Sequence, residues 1–205
     1  MLYCWGRNSD GQCGDEINSK PKQTIALPHP IKLPQHVVAI ACGTGQQGCT
    51  FAVLEDGSLY TFGNNSGGRL GHPIDPSATQ HGGGAPNPKP RKVETLCGVH
   101  VVSACVSDSH ALCVSNDGTL YSWGRQGRTG CLGRPDVGLN DPALPSAVAL
   151  PAAARCADCE SGVSGVVPAD GRLLMFGSNE RGRLGLGATA WAARRLRRAS
   201  RLRRL

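Results

Sequence analysis

The fold of this chain is decided by the stretch LYSWGRQGRTGCLG at residues 120–133, because three other segments repeat its pattern. Each copy contains a short apolar and aromatic run, a glycine, a polar turn and a closing glycine, and the other copies span residues 2–14, 59–71 and 173–185. Their first leucines are 57, 61 and 53 residues apart. Self-similarity at a nearly constant period indicates a repeat protein in which each copy is one small supersecondary unit.

Asp-Gly pairs mark hairpin turns in three of the four units. They lie at residues 56–57, 117–118 and 170–171, and each separates two apolar runs. Glycine accepts the positive φ that a tight hairpin turn requires, so this pattern favours two antiparallel strands. A further apolar run lies upstream, at residues 37–42, 99–105 and, more weakly, 156–159. Each unit therefore supplies three or four short strands and one long polar loop, without helical periodicity.

Such units, repeated in series, are typical of a β-propeller. Seven of the nine aromatic residues fill two equivalent positions of the repeat: Tyr3 and Trp5, Tyr60 and Phe62, Tyr121 and Trp123, and Phe176. Because side chains two residues apart on a strand share a face, we expect these rings to line a buried seam between blades. At a mean spacing of 57 residues, the 205 residues hold about 3.6 repeats. The sequence predicts an all-β fold, an incomplete β-propeller of about three to four blades over residues 1–187.

The Leu-Tyr-x-Trp-Gly strand, the Leu-Gly pair that follows it, the Val-Val-x-x-Ala-Cys-Gly strand and the Asp-Gly hairpin resemble the regulator-of-chromosome-condensation repeat. The resemblance extends to about Leu186 and implies the blades of a seven-bladed propeller. It also implies a structural histidine, which this chain keeps as His110 and replaces by Cys49 and Val163 in two other repeats. Since about 3.6 repeats make half of such a ring, we expect either a fragment of a longer gene product or a half ring that a homodimer completes.

The positive charge of the chain lies in its last residues. Residues 194–205 contain seven arginines and no acidic residue: Arg194, Arg195, Arg197, Arg198, Arg201, Arg203 and Arg204. Without these seven, the 22 basic residues fall to 15, which equals the 15 acidic residues, so no basic patch is predicted for the propeller. We expect residues 188–205 to form a disordered, arginine-rich tail. If the tail is functional, its arginines would contact nucleic acid or an acidic partner.

Three motifs suggest chemistry, and for each we favour a structural interpretation. Residues 43–48 read Gly-x-Gly-x-x-Gly, but the run that follows is a strand rather than the helix that a dinucleotide site needs. Residues 156–159 form a lone Cys-x-x-Cys pair without the further ligands that zinc requires. Residues 107–110 read Ser-Asp-Ser-His, the residue types of a hydrolase triad, but we expect His110 to bond to a neighbouring loop or blade. We therefore predict no catalytic residue, no cofactor and no metal.

The sequence leaves three functions open. It contains no signal segment and no apolar run long enough to span a bilayer, so we expect an intracellular protein, cytoplasmic or nuclear, without disulfides. The repeat favours a non-catalytic scaffold for protein partners, which would bind at the long loops of residues 20–34, 72–90 and 134–151. The resemblance implies a second function, guanine-nucleotide exchange on a Ran-type small GTPase. The third, chromatin or nucleic-acid binding, depends on the arginine tail alone.

Overall fold

The computed structural model describes residues 1–14, 24–43, 48–74, 86–125, 129–134 and 144–186, together with the backbone of residues 192–198. These residues contain fourteen short strands and three single-turn 3-10 helices. The strands are β1 Leu2–Arg7, β2 Thr24–Ile31, β3 Val37–Cys42, β4 Cys49–Leu54, β5 Leu59–Gly63, β6 Asn87–Lys92, β7 Val101–Val106, β8 His110–Ser115, β9 Leu120–Gly124, β10 Ser146–Val148, β11 Ala154–Glu160, β12 Val163–Pro168, β13 Leu174–Ser178 and β14 Ala192–Arg198. The 3-10 helices span Ser66–Gly68, Glu94–Leu96 and Glu180–Gly182.

The strands form four antiparallel sheets, which we name blades A to D in chain order. In the part of the chain that the structure describes, blade A contains β1 and β2 alone. Blades B, C and D have the strand orders β3-β4-β5-β6, β7-β8-β9-β10 and β11-β12-β13-β14. The first strands of neighbouring blades contact each other, β3 with β7 and β7 with β11, so they form the inner layer. The prediction of an incomplete all-β propeller is therefore confirmed, as three complete blades preceded by a partial one.

Each predicted Asp-Gly turn joins the second and third strands of a complete blade. In blade B the Gly57 amide donates to the Leu54 carbonyl at 2.9 Å, and the Asp56 carboxylate accepts from the Ser58 amide at 2.9 Å. Gly57 has a φ of +79°, a conformation that side chains other than glycine adopt at a cost. The same two hydrogen bonds recur in blades C and D. The hairpins predicted from the sequence are thus confirmed.

Apolar cores lie between successive blades. Between blades B and C, Phe51 of β4 and Trp123 of β9 stack with ring centroids 6.0 Å apart, and both are fully buried. Between blades C and D, Leu112 of β8 and Phe176 of β13 belong to one buried cluster. Phe62 of β5 is also fully buried. The predicted aromatic seam is confirmed at these three repeat positions, and each buried ring contributes about 1.5–3 kcal/mol through burial alone.

The outer strands lie in segments that the sequence analysis assigned to loops. β2 and β10 fall within the predicted loops at residues 20–34 and 134–151, and β6 begins in the predicted loop at residues 72–90 and ends two residues beyond it. Their composition is not typical of a β-strand: β6, for example, has the sequence NPKPRK. Proline and charged side chains are tolerated on an edge strand because the backbone groups on one side of that strand form no hydrogen bonds with a further strand. Residues 20–23, 75–85 and 135–143 of these loops lie outside the described residues.

β14 lies beyond residue 187, where we predicted that the propeller ends and the tail begins. Residues 192–198, which we expected to be disordered, pair antiparallel with β13 as the fourth strand of blade D. In this ladder Leu174 lies opposite Arg198, and Ser178 lies opposite Ala192. Ladder hydrogen bonds join backbone groups whatever the side chains, and a sheet edge accommodates arginine readily. Residues 187–191 and 199–205 lie outside the described residues.

Candidate interaction faces

His110 bridges blades C and D. Its ring is fully buried, with Nδ1 2.8 Å from the Ser107 hydroxyl and Nε2 2.8 Å from the Ser164 hydroxyl of blade D. Burial lowers the pKa of His110 to about 4, so the ring is neutral at neutral pH. The prediction that His110 bonds to a neighbouring blade is confirmed. Because both ring nitrogens have serine partners inside the protein, the ring is not presented to a substrate.

The glycine-rich segment at residues 43–48 belongs to the connection between two strands. The Gly43 amide donates to the Cys49 carbonyl at 2.8 Å, and β4 begins directly at Cys49. Residues 44–47 lie outside the described residues. A strand after the glycines does not present the free amides of a helix N-terminus, on which dinucleotide binding depends.

The two cysteines of the Cys-x-x-Cys pair lie in different surroundings on β11. Cys156 is exposed and Cys159 is buried. The pKa of Cys159 is raised mainly by a hydrogen bond with the Cys105 thiol and to a smaller extent by burial. The Cys159 thiol therefore stays protonated. All ten cysteines are free thiols. Across the described residues, no cluster of three or more His, Cys, Asp or Glu side chains is placed to hold a metal ion.

Arg69 is a fully buried residue that the sequence analysis missed. Its Nε donates to the Asn64 carbonyl at 3.1 Å, and its Nη2 donates to the Asn64 side-chain oxygen at 2.8 Å. Its Nη1 reaches the Asp108 carbonyl of blade C at 2.8 Å. The guanidinium therefore ties the closing turn of blade B to the inner hairpin of blade C. Arginine precedes the Leu-Gly pair in two copies of the repeat, but a charged residue is ordinarily exposed, so the sequence did not predict its burial.

Trp5 is exposed, although it occupies the repeat position at which aromatic rings are buried elsewhere. Its side chain is 62% exposed, against 0% for Phe62, Trp123 and Phe176. Each buried ring packs against the blade that precedes its own, and the described residues contain no blade before blade A. The predicted seam is therefore wrong for Trp5, and also for Tyr3, which is 49% exposed.

Glycine environments show which part of blade A is open. In each complete blade a glycine lies at the end of the third strand. A Cβ added to this glycine would lie only 2.6 Å from a neighbouring backbone atom at Gly63, 2.7 Å at Gly124 and 2.3 Å at Gly177. Nothing lies within 4 Å of the equivalent position at Gly6. The close neighbours in blades B, C and D belong to the start of the second strand or the turn before it, and blade A as described has no such strand. Among the described residues, the inner half of blade A is thus open.

Blade B exposes two apolar side chains of its first strand. Val38 and Ile40 of β3 are 61% and 59% exposed, whereas Ala39 between them packs against the core shared with blade C. A cavity of about 840 Å³ adjoins β1 and the start of β3, and Tyr3 and Val37 line part of it. We name the exposed set of Tyr3, Trp5, Val38 and Ile40 the N-terminal face.

Blade D has a second open side, directed away from blade C. Gly165 of β12 takes the ladder position that Phe51 holds in blade B and Leu112 holds in blade C. A cavity of about 550 Å³ lies over it, and Leu173 at its border is 45% exposed. We name the residues Cys156, Val163, Gly165, Leu173 and Met175 the C-terminal face. Because glycine replaces a bulky side chain, this face is hollow where the other two blades are filled.

The structure places only part of the predicted arginine contact set. Arg194, Arg195, Arg197 and Arg198 lie on β14, the outermost strand of blade D. Arg201, Arg203 and Arg204 lie outside the described residues. In the part of the chain that the structure describes, no helix is both long enough and apolar enough to cross a bilayer.

Known proteins resemble the chain in sequence and in fold. The family model of the Regulator of chromosome condensation (RCC1) repeat matches residues 1–49 and 56–114. Human E3 ubiquitin-protein ligase HERC2 is 30% identical over 194 residues, which make up 92% of this chain and 4% of HERC2. Ultraviolet-B receptor UVR8 of Arabidopsis thaliana is 30% identical over 193 residues, 91% of this chain and 39% of the receptor.

A solved structure extends the likeness to the fold. Yeast RCC1 (Prp20), in its crystal structure with Kap60, superposes with a TM-score of 0.79 at 24% identity, covering 98% of this chain and 45% of Prp20. The chain therefore spans less than half the length of each of these three proteins. With the repeat model matching over half of its residues and three blades built on that repeat, the chain belongs to the regulator of chromosome condensation (RCC1) repeat family.

Proposed function

We propose that this chain is a non-catalytic protein-interaction module and that its N-terminal face is the binding surface. The observation that carries the proposal is the contrast at one repeat position, where three rings are 0% exposed and Trp5 is 62% exposed. Val38 and Ile40 of β3 are further exposed apolar side chains. Exposed apolar surface marks protein interaction sites, and tryptophan and tyrosine are enriched where binding energy concentrates.

The surroundings of the titratable residues support a non-catalytic role. His110 is neutral and fully buried, with both nitrogens held by serine hydroxyls, so it is not presented as a general base. Burial raises the pKa of Cys113 far above its ordinary value and that of Cys49 to about 11, which leaves both thiols protonated and poor nucleophiles. The relatives agree with a binding role in part, since Prp20 was crystallised with Kap60.

The proposal is tested by affinity capture with matched surface variants. Ile40→Ser removes an apolar side chain from the N-terminal face. Val102→Ser is the control, because Val102 is 44% exposed but lies on blade C, whose first strand contacts blade B and blade D. We expect a set of proteins retained by the wild type and by Val102→Ser but lost with Ile40→Ser. Identical sets for all three proteins would remove the N-terminal face from consideration.

Guanine-nucleotide exchange is the second candidate, favoured by the fold shared with yeast RCC1 over 98% of this chain. Exchange needs no covalent chemistry, only a surface that displaces bound nucleotide from a Ran-type GTPase. Release of a fluorescent nucleotide from the loaded GTPase measures this activity directly. Acceleration at micromolar concentrations of the chain would support exchange, and an unchanged release rate would rule it out.

The arginine segment carries a separate proposal, contact with nucleic acid or another acidic partner. Four of its arginines lie on one strand, and three more follow within six residues of it. Phosphate contacts release counterions, so binding driven by these arginines weakens steeply with salt. A variant with the seven arginines replaced by glutamine, which leaves the backbone of β14 in place, should lose both the affinity for DNA and its salt dependence. Equal affinity of the two proteins would contradict a role for the segment.

A further inference from the structure

We propose that Cys105 and Cys159 are a redox-sensitive thiol pair, which hydrogen peroxide oxidises to a disulfide that joins blades C and D covalently. The proposal is independent of the N-terminal face and of any binding partner, because both residues lie at the joint between two complete blades. All ten cysteines are free thiols in the structure, so the disulfide is a modification of the state described above.

The two cysteines lie on inner strands that contact each other. Cys105 is near the end of β7 in blade C, and Cys159 is near the end of β11 in blade D. The Cys159 Sγ lies 3.9 Å from the His110 carbonyl oxygen of blade C, so this thiol reaches across the joint. Cys159 belongs to the buried cluster between the two blades, and Cys105 packs against that cluster. The two side chains therefore meet at the joint, where their thiols are hydrogen-bonded to each other.

Cys113 is a neighbour of Cys105 in the same blade, but its side chain lies on the other face. On the ladder between β7 and β8, Cys105 lies opposite Leu112, and Cys113 lies opposite Ala104. Successive side chains along a strand point to opposite faces of the sheet. The packing agrees, because Cys113 belongs to the cluster between blades B and C, whereas Cys105 packs against the cluster between blades C and D. Cys105 is thus directed toward blade D and away from Cys113.

Two other cysteines near Cys159 are directed elsewhere. The Cys131 thiol donates to the Arg125 carbonyl at 3.5 Å, within the closing turn of blade C. Cys156 lies three residues before Cys159 on β11, an odd spacing that places the two side chains on opposite faces of the strand. Cys156 is accordingly exposed, whereas Cys159 is buried. Cys105 is therefore the thiol that Cys159 meets across the joint.

The joint between blades B and C shows what the repeat itself requires at these two positions. Ala41 of β3 holds the position of Cys105, one blade earlier. Val106 of β7 likewise holds the position of Cys159. Val106 belongs to the buried cluster of that joint and Ala41 packs against it, so the two positions meet there as well. Packing at a joint therefore needs only two apolar side chains, and the paired thiols add a chemistry that the other joint lacks.

The surroundings of the two sulfurs assign each a role in the reaction. Cys159 is buried and keeps its proton, whereas Cys105 is half-buried and is the sulfur that a small oxidant reaches. Cys105 loses its proton to solvent and its sulfur attacks one peroxide oxygen; the O–O bond breaks, and the hydroxide that leaves takes up a proton to form water. The Cys159 sulfur then attacks the Cys105 sulfenic acid, the S–O bond breaks, and the hydroxyl departs as water with the Cys159 proton. One peroxide is thus reduced to two waters while two thiols are oxidised to one disulfide.

Peptide mapping of the full chain tests the proposal. Trypsin cleaves after lysine and arginine, so Cys105 falls in the peptide of residues 93–125 and Cys159 in the peptide of residues 156–172. After treatment with hydrogen peroxide and alkylation of the remaining thiols in denaturant, we expect mass spectrometry to find these two peptides linked, and dithiothreitol to separate them. The linked chain should migrate as a monomer on a non-reducing gel. A linkage found only in a dimer band would overturn the proposal.

Single variants identify the bonded sulfurs, because the two peptides also contain Cys97, Cys113 and Cys156. Cys105→Ala and Cys159→Ala should each abolish the linkage, whereas Cys97→Ala, Cys113→Ala and Cys156→Ala should each retain it. Cys105→Ala is the decisive variant, since its half-buried position tolerates the change better than the buried position of Cys159. A linkage that persists in Cys105→Ala would reject the assignment. So would a wild type that stays unlinked at a peroxide concentration that oxidises the exposed Cys156.

Thermal unfolding supplies a second readout. Cys105 and Cys159 are 54 residues apart, and a disulfide across a loop of this length lowers the entropy of the unfolded chain. The oxidised wild type should therefore unfold about 5–15 °C above the reduced protein and return to the lower midpoint with dithiothreitol. Cys105→Ala, treated with peroxide in the same way, should show no such rise. Equal midpoints for the linked and the reduced wild type would contradict a bond that the native joint accommodates.

Discussion

The burial of His110 predicts a loss of stability as pH falls from 7 to 5. Burial in the folded state lowers the pKa of His110 to about 4, against an ordinary value of 6.5, and nearby Asp108 offsets only part of this effect. Between these values the unfolded chain binds more protons than the folded chain, so the stabilising effect is complete above pH 6.5 and declines below it. Integration over this range gives a loss of about 2 kcal/mol between pH 7 and pH 5 from His110 alone.

Urea unfolding at pH 7 and pH 5, followed by tryptophan fluorescence, measures this loss. His110→Gln is the comparison, because glutamine keeps an amide for Ser107 and Ser164 but does not titrate. His72 is also buried, and its pKa is likewise lowered to about 4 by burial, so it destabilises both proteins equally at pH 5. The wild type should therefore lose about 2 kcal/mol more than His110→Gln. Equal losses in the two proteins would refute the assignment of His110 as a neutral, buried bridge.

Three further predictions concern the joints between blades. Arg69→Met should raise the unfolding rate and lower stability by about 3 kcal/mol, since it removes a buried guanidinium and leaves the carbonyls that it serves unpaired; no change in the urea midpoint would contradict that role. Trp123→Ala should cost about 3–5 kcal/mol and Trp5→Ala less than about 0.5 kcal/mol in the dilute monomer, and similar costs in thermal unfolding would argue against the exposure of Trp5. Gly124→Ala should destabilise the protein by at least about 2 kcal/mol more than Gly6→Ala, because both glycines have positive φ but only the Gly124 Cβ meets backbone, at 2.7 Å. Equal midpoints for these two variants would mean that the inner half of blade A is filled.

Much of the fold could be predicted from the sequence because the repeat combines two independent local signals. The Asp-Gly pairs fix tight turns through glycine backbone freedom, and the apolar runs around them have the length of short strands. Together they located the second and third strands of blades B, C and D, and the inner strands at residues 37–42 and 99–105 to within two residues at either end. The structural role of His110 was also predicted correctly.

The outer strands were not predicted, for a physical reason. A strand at the rim of a propeller has one unpaired edge and a partly solvated face, so it keeps neither alternation nor β-branched composition. β6 contains two prolines and three cations, and β14 contains four arginines. Sequence reasoning assigned such segments to loops and to a disordered tail. Only pairing with the third strand of the same blade identifies them as strands.

The sequence by itself determined the local unit: where the chain turns, which runs extend, and that four copies of one pattern produce an all-β repeat protein. Only the tertiary structure decided which of the equivalent residues are buried. Trp5 and Trp123 share nearly the same local sequence, yet one is 62% exposed and the other is 0% exposed. Burial of a side chain depends on whether another blade covers it, and that neighbour is supplied by residues far away in the chain.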